Sequence, residues 1–129
     1  MTRSELLTLA AAVERDGVAA HNDAVARAFG YVFCELWAPP GEMDVSKWTA
    51  EPPDFSNLQT AADHMPKGWI HAGGYFDYTR KPPEHVWMLI NLDKPERFSD
   101  FRTAFGTGPD EASARNAASL RALAEDADA

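Results

Sequence analysis

Between Ala112 and Ala124 the chain puts small residues at helical spacing: Ala112, Ala114, Ala117, Ala118 and Ala124, with Leu120 and Leu123 among them. Such a segment is a strong helix former. With so little side-chain bulk it can lie unusually close to a sheet, because contact distance follows the side chains at the contact. The run Thr107-Gly108-Pro109-Asp110 precedes it. Thr107 is placed as the cap, Pro109 in the first turn and Asp110 as the acid three residues on. The spacing predicts a helix over 109–125, and the acidic end EDADA is expected to fray.

A sheet for this helix to cover is predicted from 69–79 and 85–92. Val86, Met88, Ile90 and Leu92 form one apolar face, and His85, Trp87, Leu89 and Asn91 the other. In 69–79, Ile70, Ala72, Phe76 and Tyr78 share one parity and Trp69, His71, Tyr75 and Asp77 the other. Parity carried through Gly73-Gly74 favours one bent or bulged strand over a tight turn at the glycines. The polar link Arg80-Lys81-Pro82-Pro83-Glu84 makes the two an antiparallel hairpin. Residues 97–105 alternate as an edge strand would, with Phe101, Thr103 and Phe105 against Asp100 and Arg102. Residues 31–37, YVFCELW, are apolar on both parities and predict one strand covered on both faces, with Cys34 a small buried hydrophobe.

Three shorter helices complete the reading. The first is 4–15, with Ser4 as a possible cap and Asp16-Gly17 as its stop. The second is 22–29, ended by Gly30, and the third is 56–65, ended by Pro66. The segment 38–54, bracketed by Pro39-Pro40-Gly41 and Pro52-Pro53, shows no period and reads as a loop. The chain of 129 residues, 45% hydrophobic and 25% charged, suits a single domain with enough apolar mass to fold. The expected architecture is α+β, a small antiparallel sheet of three to four strands with helices packed on both faces.

Three stretches resemble a known family. They are SELLTLAAAVERDGVAAHNDAVARAFGY at 4–31, PPDFSNLQTAADHMPKGW at 52–69 and TGPDEASARNAASLRALAE at 107–125. In this order they resemble the small phage and prophage proteins of the phage ABA (alpha-beta-alpha) sandwich domain family, with 85–92 where that family has its central strand. Two places depart from the pattern. Gly17-Val-Ala-Ala-His-Asn replaces a Gly-Pro-Asp before the second helix, and Thr107-Gly-Pro109 replaces a Thr-Pro before the last. The resemblance implies an alpha-beta-alpha sandwich and a mobile-element setting, and it brings no catalytic residues.

Charge excludes some functions. Twelve Lys and Arg face twenty Asp and Glu, a net charge of −8, so direct nucleic-acid binding is disfavoured, and so is an anionic membrane. No apolar run approaches the roughly 18 residues of a membrane span, and the lone Cys34 fits a reducing compartment; a cytoplasmic protein is expected. No cofactor is expected, because neither Gly73-Gly74 nor Gly106-Thr-Gly108 matches a phosphate or dinucleotide loop. No metal-ligand spacing occurs either. The one alternative for a metal or an enzyme site is His71, His85 and Asp77, if the two histidines meet across the hairpin. A second alternative is self-assembly through the 97–105 edge. The leading expectation is a non-enzymatic accessory protein that binds another protein, with Trp37, Trp48, Phe55 and Trp69 as contact residues. A basic host protein suits the acidity. Its sharper form is an inhibitor of a host defence or nucleic-acid enzyme.

Overall fold

The computed structural model describes residues 1–92 and 102–127. Helix α1 (Arg3–Asp16) leads through a 3-10 turn at Val18–His21 into α2 (Asn22–Ala28). A small hairpin follows, β1 (Val32–Cys34) and β2 (Leu36–Ala38). Helix α3 (Leu58–Asp63) precedes β3 (Trp69–Asp77), β4 (Glu84–Asn91) and β5 (Arg102–Gly108), and α4 (Glu111–Asp126) closes the chain. The three long strands form one antiparallel sheet in the order β3-β4-β5.

The α+β expectation holds, and α4 is its spine. Ten of its residues are buried, six of them alanines, because β4 and β5 lie on one side and α1 and α2 on the other. Gly106 brings β5 against the α4 backbone at Ala114 and Ala118. Leu89, Trp69 and Ala104 pack on Ala118 and Ala122, while Leu6, Val13, Val25 and Phe55 join Ala117 and Leu120 in the larger core. Buried polar groups pin distant segments to the spine. Ser113 Oγ accepts from the Val18 amide at 2.9 Å, and Asn116 Nδ2 donates to the Phe55 and Ala112 carbonyls at 2.9 and 2.8 Å.

Several element expectations are corrected. Residues 31–37 are not one strand: Glu35, at φ 63, turns the chain between β1 and β2, although only Gly, Asn or Asp would advertise such a turn. Cys34 is accordingly exposed at the hairpin tip. The cap of α1 is Thr2, in a capping box with Glu5, rather than Ser4. The cap of α4 is Asp110, whose carboxylate accepts from the Ser113 amide at 2.7 Å, because Thr107 still belongs to β5. In β3 an extra residue, Ala72, sits between the His71–Leu89 and Gly73–Met88 pairs. This bulge flips the parity: Trp69, His71, Gly74 and Phe76 share the α4 side, and Ile70, Gly73, Tyr75 and Asp77 take the other. Of the 97–105 strand, residues 97–101 lie outside the described residues, and β5 runs on to Gly108.

The packing on both faces also differs from expectation. Among the described residues, helices cover only the side that carries Trp69, Leu89 and Ala104. The opposite side of the sheet presents Ile70, Tyr75 and Phe105, which are 43%, 63% and 50% exposed.

The outer edge of β5 is closed by α1. Glu14 accepts from the Thr107 amide at 2.8 Å and from its hydroxyl, and pairs with Arg121, which also donates to the Phe105 carbonyl at 2.9 Å. Burial pushes the Glu14 carboxyl up, but the Arg121 and Thr107 donors outweigh it and hold it below the usual range. Self-assembly by strand pairing at 105–107 is therefore blocked, since those backbone groups are already engaged.

Candidate functional site

The segment from Val32 to Pro53 has an ordered frame and apolar tips. Trp37 and Thr49 exchange two backbone hydrogen bonds, at 2.7 and 3.0 Å, which add a third rung beside the β1–β2 hairpin. The Trp48 indole N–H donates to the Glu42 carbonyl at 3.1 Å. Asp44 caps a 3-10 turn at Val45–Lys47, and its hydrogen bonds from Ser46 hold its carboxyl below the usual range. At the far end Asn22 clamps the chain, donating to the Pro53 carbonyl and accepting from the Phe55 amide, both at 2.8 Å. On this frame Val32, Phe33, Met43 and Val45 are exposed, Met43 at 88%. Glu35, Glu42, Asp44 and Glu51 lie in the same segment against the single cation Lys47, so apolar tips rise from acidic ground.

The four aromatics expected to contact a partner fall elsewhere. Trp37 is buried under Phe33 and the Arg27 guanidinium, whose ring-centroid separations from it are 5.2 Å and 5.2 Å. Phe55 is fully buried and stacks on Phe29. Trp69 is buried at the foot of the sheet, where its indole N–H donates to Asp126 at 2.9 Å. Only Trp48 among the four keeps part of its surface open. Burial of the first three is a correction to their role: large apolar rings contribute most where water is excluded, and here that place is the core. The exposed Val32 and Phe33 were missed because a strand apolar on both parities reads as interior, and Met43 and Val45 because 38–54 shows no period that would single them out.

His71, His85 and Asp77 do not assemble. His71 pairs with Leu89, whereas His85 pairs with Phe76, four residue pairs further along the sheet, with Trp87 midway between. Asp77 lies on the opposite face, bonded to Thr79 and Arg80. Among the described residues no group of three or more His, Cys, Asp or Glu is placed to hold a metal ion.

His71 instead accepts a hydrogen bond at Nδ1 from the Trp87 indole, at 2.7 Å, and Arg115 lies 4.0 Å above the Trp87 ring. Its Nε2 is buried without a partner. Burial pushes the His71 pKa down, Arg115 adds to the shift and Glu111 opposes it. The folded protein thus prefers neutral His71. This contribution is fully present above the unfolded value of 6.5 and is lost as pH falls through the lower folded value. Thermal melts between pH 7.5 and 5 (a range of roughly two units about a histidine's normal value) should show wild-type stability falling more steeply than that of His71→Gln. Parallel curves would contradict it.

Comparison with protein-family models, with curated proteins and with solved structures finds no match to this chain. Among the described residues no helix is long and apolar enough to cross a membrane.

Proposed function

We propose that this chain is a non-enzymatic accessory protein that binds another protein through the apolar tips of the 32–48 segment. The observation that carries this reading is the exposure of Val32, Phe33, Met43 and Val45 on a frame fixed at Trp37–Thr49, Trp48–Glu42 and Asn22. Binding residues are concentrated on loops held by a rigid scaffold, and apolar clusters that face water at a fixed position favour association. The acidic groups around them would steer a partner with a basic rim, while the tips enter an apolar pocket at its centre. A phage or prophage setting follows from the sequence resemblance alone. Inhibition of a host defence or nucleic-acid enzyme is the form of the function that the acidity suits.

The test is capture from lysate of a phage-infected host, with the wild type and a Phe33→Ser, Met43→Ser double variant side by side. Both positions are exposed, so the variant should fold normally. A protein retained by the wild type and lost by the variant supports the reading. Equal retention, or none by either, counts against it.

A further inference from the structure

We propose that the face of the β3-β4-β5 sheet that no helix covers among the described residues is the interface of a symmetric dimer, and that its occupant is a second copy of this chain. Three rungs cross this face: Ile70–Ile90–Thr103, Gly73–Met88–Phe105 and Tyr75–Val86–Thr107. None of the nine residues is charged; Val86 is itself buried, and the Thr107 hydroxyl donates to Glu14 at the β5 edge. The first charged rung, Asp77–Glu84, lies at the end of the sheet, where Arg80 bonds both carboxylates at 3.1 and 3.2 Å.

The absence of charge selects the occupant. A chain of net charge −8 attracts basic proteins through its carboxylates, and this face offers none in its three rungs. A basic partner seated here would bury cations with no counter-charge, at a cost of several kcal/mol each. The matching surface is another uncharged, apolar and aromatic sheet face, and a second copy supplies one.

The relief of the face suits a two-fold arrangement. A side chain at Gly73 would meet nothing within 4 Å, so the middle rung has a hollow between the standing side chains of Ile70 and Tyr75. In an isologous contact the raised residues of each copy enter the hollow of the other. Two sheets stacked about 10 Å apart would close into a sandwich core, each backed by its own α4. Three strands of about seven residues have a footprint of roughly 350 Å² in plan. With side-chain relief, two copies bury about 1,000 Å², the lower limit of specific interfaces, which makes a reversible dimer the expected form. Edge pairing does not compete at 105–107, because Glu14 and Arg121 occupy that edge.

Sedimentation and light scattering of the full chain, up to roughly 500 µM, test this by mass action. The wild type should pass from the 14.2 kDa monomer to twice that mass as concentration rises. Tyr75→Lys and Phe105→Lys, both at exposed positions, should weaken association at least about tenfold while leaving the circular dichroism spectrum unchanged. Phe33→Ser should associate like the wild type. A monomer at the highest concentration overturns the proposal, and so does a dimer unaffected by either lysine variant. A different protein found on this face of a monomeric chain overturns it too. None of these results bears on binding through the 32–48 segment, which Phe33→Ser and Met43→Ser probe separately.

Discussion

Replacing Gly106 with alanine should lower stability by at least about 3 kcal/mol, toward the upper end of what overpacking costs. The added methyl would fall inside the contact distance of the Ala114 carbonyl oxygen and the Ala118 amide nitrogen, and 3.0 Å from the Ala117 carbonyl carbon. All three are helix backbone. A rotamer change cannot relieve the clash, so either α4 or β5 must move. Both are committed: α4 carries the two hydrophobic clusters, and β5 is tied to α1 by Glu14 and Arg121. For a domain of this size the loss corresponds to a fall in melting temperature of roughly 10 °C or more. Thr103→Ala is the control. It lies exposed on the same strand and should stay within about 0.5 kcal/mol of the wild type. A Gly106→Ala melt within a few degrees of wild type would mean that the strand and helix are not in backbone contact.

That contact shows what could be read from the sequence. Small residues at 112, 114, 117, 118 and 124 announce a helix meant to lie close to something, and the apolar alternation of 85–92 supplies the strand beneath it. Both rest on local periodicity. The errors arise where local pattern is ambiguous. Glu35 makes a turn that its residue type does not announce. The insertion of Ala72 moves every later side chain of β3 to the other face, but apolar and aromatic residues occupy both parities there, so the pattern gives no warning. The bulge also decides which side chains face outward. It turns Tyr75 to the open side and lets Gly74 lie beneath the Trp87 ring. The polar pins were out of reach altogether. Ser113 meets Val18 across 95 positions and Asn116 meets Phe55 across 61, distances over which composition and spacing say nothing.

Aromatic residues pose the same ambiguity, and Phe55 resolves it by measurement. Phe55→Ala should destabilise the fold by about 3–5 kcal/mol, the range for emptying a large buried aromatic site. The side chain is fully buried, stacked on Phe29 with centroids 5.4 Å apart, and edge-on to His64 at 4.8 Å. Its backbone is held independently by Asn22 and Asn116, so the loop cannot readily collapse into the space left behind. A site that cannot collapse falls at the costly end of the range. Urea unfolding should show a lower midpoint with an unchanged slope, and Phe55→Leu should recover part of the loss by refilling volume. Trp48→Ala gives the contrast. It removes one indole hydrogen bond to the Glu42 carbonyl from a half-buried position, and about 1–2 kcal/mol is expected. If Phe55 were a contact residue instead, its alanine variant would melt like the wild type and lose only partner binding. Because Phe55 is fully buried and stacked on Phe29, any partner binding should fall together with stability, following the fraction unfolded.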